Sequence, residues 1–180
     1  MRLFVALSLP DGVIARLRIM CSGIPGANWV APENMHITLR FIGEVDEPVA
    51  EEINYVLSKL EEDAFSLEIG GLNTFGRGAH PHALWVAVKP SPELLHLHGK
   101  VESAIVRAGL PPEGRKFTPH VTLARLHRPD VNRVQSFIEG NNLFHAGPFA
   151  VTQFTLFESR TGNGGPIYDA LEDYPLREVG

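Results

Sequence analysis

The chain has 180 residues, 44% of them hydrophobic and 21% charged, with a formal net charge of −5. That composition suits a globular domain able to bury a core, and excludes disordered and fibrous classes. The acidic balance and the lack of a Lys/Arg tract argue against a protein that grips long nucleic acids through many phosphates; such a ligand would be held at an end or over a few nucleotides.

In chain order, "RLFVALSLP" (2–10) alternates Leu3, Val5, Leu7 and Leu9 on one face and predicts a strand ended by Pro10. Asp11 and the missing small-residue cleavage site argue against a signal peptide here, and every apolar stretch in the chain is too short for a transmembrane helix. "DGVIARLRIM" reads as a helix with Asp11 as its N-cap. Cys21, the single cysteine, cannot form an internal disulfide; it fits a reducing cytoplasm and reads as a small buried apolar residue or a bystander. "NMHITLRFIG" predicts the second strand, closed by Gly43. "DEPVAEEINYVLSKLEED" places Val49, Ile53, Val56, Leu57 and Leu60 on one helical face. "FSLEIGGLNTF" (65–75) is a third strand, whose Gly-Gly suggests a bulge.

The series then starts again. "ALWVAVKP" (83–90) is a strand ended by proline, and "SPELLHLHGKVESAIVRAGL" a helix with Ser91 as N-cap, Pro92 at its first position and Gly109 at its end. "TPHVTLARL", "PDVNRVQSFIEGN" and "FAVTQFTLFES" supply a strand, a helix and a strand. His36 and His120 are 84 positions apart, as are Phe65 and Phe149, which open the third strand of each series. The expected architecture is therefore α+β: a single domain over 1–180, with lobe-like β-α-β-α-β repeats at about 2–75 and 83–158 that face each other across a groove. "RTGNGGPIYDALEDYPL" lies outside the repeat and predicts a C-terminal hairpin (159–180), its Gly-rich turn near the cleft.

Each series carries His-x-Thr-Leu on its second strand. Alternate strand residues share a face, so His36 and Thr38 project together while Ile37 and Leu39 enter the core; His120 and Thr122 do the same against Val121 and Leu123. If a pseudo-twofold axis relates the lobes, two imidazoles and two hydroxyls converge on one cleft and frame something small, tetrahedral and anionic. Phosphoester cleavage without a metal suits that frame. It needs a base for the nucleophile and an acid for the leaving alkoxide, and histidine serves both near neutrality. Threonine hydroxyls can donate to phosphoryl oxygens as negative charge builds. The remaining histidines lack this support. His80 and His82, or His96 and His98, could be metal ligands, but no carboxylate or cysteine sits at a suggestive spacing beside them. His96 and His98, two apart on a helix, point to different faces. His127 and His145 read as solvated loop residues.

"RLFVALSLP", "WVAPENMHITLRFIGEV", "ALWVAV", "GRKFTPHVTLAR" and "FTLFESR" together resemble the 2H phosphoesterase superfamily, and within it the bacterial and archaeal RNA 2′,3′-cyclic phosphodiesterase branch, also called 2′-5′ RNA ligase. The resemblance implies a bilobal fold of antiparallel-type sheets around a central cleft, no required metal or other cofactor, and hydrolysis of a 2′,3′-cyclic phosphate to a 2′-phosphomonoester. It implies His36 as proton donor to the ribose 3′ oxygen and His120 as the acceptor that activates water, roles that the residues themselves leave interchangeable. Thr38 and Thr122 carry over as phosphate ligands, and Arg125 as a phosphate or ribose contact. Strict alternation turns Arg125 away from His120, so it needs a twist or bulge after Leu123; Arg40, with the right parity, is the alternative cation. Phe4 and Phe117 fall where the resemblance places ring contacts, and Phe4 has groove-facing parity. "FGRGAHPHA" departs from the aromatic residue expected near His80, which bears on the rim of the site. The expected partners are RNA 3′ ends or oligonucleotides bearing the cyclic phosphate, met by a cytoplasmic monomer with no membrane association. Two other functions fit the same residues: a ligase running the reaction backwards from a 5′-hydroxyl, and a nonenzymatic RNA-end or nucleotide-binding module.

Overall fold

The computed structural model describes residues 1–179. The strands are β1 (Arg2–Ser8), β2 (Asn28–Trp29), β3 (His36–Glu44), β4 (Phe65–Arg77), β5 (His80–Val88), β6 (His120–Arg125), β7 (His145–Val151), β8 (Gln153–Gly162) and β9 (Gly165–Pro175). The helices are α1 (Asp11–Met20), α2 (Glu47–Ser58), α3 (Pro92–Arg107) and α4 (Val131–Asn141). All strands join one open antiparallel sheet ordered β7-β4-β5-β6-β3-β1-β8-β9, with β2 beside β6. Its two halves meet at a single residue pair, Ile37 opposite Val121. Beyond that pair β3 and β6 part, and the space between the halves is the cleft.

The four predicted helices all form, and Ser91 caps α3 as expected. Asp46, Ser91 and Asp130 cap α2, α3 and α4 by accepting from Val49, Leu94 and Asn132 backbone N–H groups. Asp11 is not the cap of α1: Pro10 takes that position, φ −59° and ψ 148°, and Asp11 opens the first turn, where its charge suits the helix dipole. The Gly70–Gly71 bulge is present, its register slipping between Ile69 and Leu72 against β5, with Gly71 at φ +85°. Cys21 is partly buried and donates through Sγ to the Leu17 carbonyl at 3.2 Å; burial pushes its thiol up to about 11, which leaves it unreactive.

Two strand assignments change. "FAVTQFTLFES" is not one strand, because the chain breaks at Thr152 into β7 and β8, in opposite halves of the sheet. Nor do the sheet halves coincide with the sequence repeats. β4 turns into β5 through the two residues between Arg77 and His80, so it lies beside β5 and β7, where Leu67 faces Phe149. β8 crosses back to lie beside β1. The third strands of both repeats thus share one half. β8 and β9 form a hairpin joined by the two residues Asn163 and Gly164. One contiguous core lies beneath, with Leu3, Val5, Ile37, Ile53, Leu57, Leu97, Val101, Ile105, Val121 and Leu123 at 3% exposure or less. No helix among the described residues is long and apolar enough to cross a membrane.

Candidate active site

The antiparallel pairing of Ile37 with Val121 fixes the geometry of the cleft. Cross-strand neighbours share a face, so His36 lies opposite Thr122 and Thr38 opposite His120. The four side chains occupy the corners of a rectangle with the histidines on one diagonal. Ile37 and Val121, both fully buried, point the other way and anchor the two strands in the core. All four motif residues line a cavity of about 770 Å³.

Both imidazoles are held in the same way. His36 Nδ1 lies 2.6 Å from the Asn34 carbonyl, and His120 Nδ1 lies 2.6 Å from the Thr118 carbonyl. A carbonyl only accepts, so Nδ1 carries the proton in each ring and Nε2 is left to accept or deliver one. His36 Nε2 is 2.8 Å from Thr38 Oγ1. Each ring also rests on two aromatics. Phe4 and Tyr168 flank His36 at centroid distances of 5.1 and 5.5 Å; Phe75 and Trp85 flank His120 at 4.9 and 5.4 Å. The Trp85 Nε1–H is buried without an acceptor.

Burial pulls His36 below the ordinary histidine value near 6.5; the Asn34 carbonyl opposes this, and the like charge of His120 adds to it. The free cleft therefore holds His36 neutral at neutral pH. An NMR titration of the ring protons is expected to place the His36 midpoint below about 6.5. It should move up in His120→Ala, which removes the like charge, and up again when inorganic phosphate enters the cleft. A midpoint at or above the ordinary value in the free native protein would contradict this geometry.

A bulge in each motif strand decides where the next residues point. On β6, Thr122 pairs with Trp85 but Ala124 pairs with Leu84, so one extra residue is inserted at Leu123. Leu123 and Ala124 are both buried, and Arg125 swings back to line the cleft, as the resemblance required. β3 repeats the feature: Thr38 pairs with Ala6 and Arg40 with Val5. This overturns Arg40 as the alternative cation. The bulge sends it inward, 6% exposed, where it binds both Glu102 carboxylate oxygens at 2.8 Å and donates to the Pro111 carbonyl at 2.7 Å.

The cleft-facing position after that bulge is Phe41, which parity alone assigns to the core. Aligning "HITLRF" with "HVTLAR" sets Phe41 against Arg125 and would have found it. Arg2, Asn34, Tyr168 and Arg160 also line the cleft without having been singled out. Phe4 lines it as its parity predicts, but its ring is enclosed by His36, Phe157 and Tyr168 and only 4% exposed. Phe117 stays outside, stacked on His98 at 3.8 Å. His96 pairs with Glu62 at 2.9 Å, and His80, His82 and His127 are exposed away from the cleft. His145, expected in a loop, opens β7 and lies 3.7 Å from Glu68. No group of three or more potential metal ligands occurs among the described residues.

Comparison with known proteins places the chain in a family. A family model described as the 2′-5′ RNA ligase superfamily matches residues 8–163. A protein from Aeropyrum pernix named RNA 2′,3′-cyclic phosphodiesterase is 38% identical over 173 residues, 94% of this chain and 98% of that protein. TT0787 of Thermus thermophilus superposes with a TM-score of 0.82 at 25% identity, covering all of both chains. LigT of E. coli, crystallised with 3′-AMP, superposes with a TM-score of 0.77 at 25% identity over 97% of each chain. The match over most of the length, with both His-x-Thr motifs converging on one cleft, shows that the chain belongs to the 2′-5′ RNA ligase superfamily, the 2H phosphoesterases.

Proposed function

We propose that this protein hydrolyses RNA 2′,3′-cyclic phosphate ends to 2′-phosphomonoesters without a metal. The observation that carries the reading is the diagonal placement of two imidazoles whose Nδ1 protons are fixed by backbone carbonyls. Displacement at phosphorus brings water in on one side and expels the ribose oxygen on the other. Diagonal bases suit those two proton transfers. His120 Nε2 takes the proton of water as its oxygen bonds to phosphorus. The P–O3′ bond breaks, and His36 Nε2 delivers its proton to O3′, leaving the phosphate on O2′. The donor must be protonated when the ester binds. The phosphodiester's negative charge raises the depressed His36 midpoint, so the anion recruits the proton that later protects the leaving oxygen.

Thr38 and Thr122, at the other two corners, donate to the nonbridging oxygens. Arg125, free in the cleft, meets the phosphate or ribose, and Phe4 backs the His36 ring. Both motifs come from one chain, so a monomer carries a whole site. The unpaired Cys21 thiol and an RNA substrate fit the cytoplasm.

A short RNA ending in a 2′,3′-cyclic phosphate, incubated in EDTA, is expected to give only the 2′-phosphate. Adding a 5′-hydroxyl RNA tests the reverse reaction, because a joined 2′-5′ product outrunning hydrolysis would replace the hydrolase reading with a ligase. Binding without turnover would favour a recognition module.

A further inference from the structure

The repeat relates the two motifs, but it does not relate the rings that hold their histidines. Phe75 and Trp85, which flank His120, come from β4 and β5, the successive strands next to β6 in its own half of the sheet. Phe4, on one side of His36, comes from β1, the neighbour of β3. Tyr168, on the other side, comes from β9, which the sequence repeat does not include. β9 stands three strands from β3 in the sheet, about 14 Å at the usual strand spacing. The Tyr168 ring centroid is nevertheless 5.5 Å from that of His36, so the β8–β9 hairpin curls back over the cleft. Gly162, Gly164, Gly165 and Pro166 at its tip line the same cavity.

A clasp holds the hairpin there. The Asn34 side-chain amide donates to the Pro166 carbonyl at 2.9 Å, while the Asn34 backbone carbonyl accepts from His36 Nδ1 at 2.6 Å. Tyr168 lies two residues beyond Pro166 as His36 lies two beyond Asn34, so the clasp and the ring contact close a small circuit around the imidazole. Within it Phe4 is tilted 35° to the imidazole and Tyr168 stands at 88° to it. Two walls of different orientation resist rotation of the ring about its Cβ–Cγ bond, which the Nδ1 hydrogen bond alone would allow to rock. Tyr168 meets Phe4 edge-on as well, at 4.9 Å and 74°, so the walls brace each other.

The geometry points to Tyr168, carried on the hairpin that Asn34 clasps, as the positioning residue of the proton donor: its ring holds His36 Nε2 in line with the leaving O3′. This rests on the hydrolase reading, and it explains why the donor needs a wall from outside the repeat. Water can shift to meet a base, whereas O3′ is fixed by the ribose ring, so the donor has to be placed beforehand.

The test compares a cyclic phosphate RNA end with the same end carrying sulfur in place of the 3′ bridging oxygen, whose thiolate leaves without a proton. Tyr168→Ala is expected to lose about ten- to a hundredfold in kcat on the oxygen substrate at near-native KM, and to recover most of that loss on the sulfur substrate. Tyr168→Phe, which keeps the ring, should recover most of the oxygen rate. Asn34→Ala cuts the clasp but keeps the backbone carbonyl; it is expected to show the same substrate pattern, and a native rate on the oxygen substrate would overturn the part given to the clasp. Equal losses of Tyr168→Ala on both substrates would mark the ring as structural only. A loss confined to KM would make it a substrate contact, and an equal loss in Tyr168→Phe would move the role to the hydroxyl; either result overturns the assignment. If native protein turns over neither substrate, the hydrolase reading fails separately. The positioning is then read from the Nδ1–H resonances of ¹⁵N-labelled histidine. The His36 signal should broaden in Tyr168→Ala while the His120 signal holds, and an unchanged His36 signal overturns the assignment.

Discussion

His36→Ala and His120→Ala are each expected to reduce kcat/KM on a cyclic phosphate RNA end by about 10²–10⁴-fold. Neither change disturbs the core, because both rings project into the cleft while Ile37 and Val121 hold the strands from the other side. The double variant should lose little more than the worse single variant. Each ring completes a proton transfer only if the other does, and groups that act as a unit are not additive. Retained folding by circular dichroism and Tm separates lost chemistry from lost structure. Activity within severalfold of native in either variant would remove that imidazole from the reaction.

Arg40→Ala is expected to act on stability. The guanidinium is almost wholly buried, and its partner Glu102 also accepts from the Glu113 backbone N–H, so the pair fastens α3 and the segment after it beneath the first motif strand. Removing one member of a buried, hydrogen-bonded ion pair costs about 3–5 kcal/mol, because the other charge is left uncompensated. Denaturant midpoints of Arg40→Ala and Arg40→Met give the magnitude, with Met restoring part of the lost volume. Below the unfolding transition, KM should stay close to native, since Arg40 touches nothing in the cleft. A large rise in KM at native-like stability would restore Arg40 as a substrate contact.

The motifs were legible because strand alternation needs only sequence. His36, Thr38, His120 and Thr122 fall on one face with hydrophobic residues between them, and the structure keeps that parity. Where parity misled, a single cause acted. An extra residue at Leu39 turns Arg40 inward and Phe41 outward, just as one at Leu123 releases Arg125. A bulge leaves no periodic trace in composition. The repeat itself held the clue, because needing a bulge after Leu123 implies its counterpart after Leu39. The sorting of strands between sheet halves was not legible. It follows from the tight turn joining β4 to β5 and from the break at Thr152, which are local events with long-range consequences. The partners of Asn34, whose carbonyl holds His36 while its side-chain amide donates to the Pro166 carbonyl at 2.9 Å, depend on a hairpin 132 residues away.

The central claim is that two histidines with opposite proton duties cleave one phosphoester. It is tested most directly with a substrate in which sulfur replaces the 3′ bridging oxygen of the cyclic phosphate. A thiolate leaves without help from an acid. In EDTA, His36→Ala should regain much of its rate on the sulfur substrate, while His120→Ala, lacking the base, should remain slow on both. The reverse pattern would exchange the two roles, and near-native rates for both variants on the oxygen substrate would contradict the account.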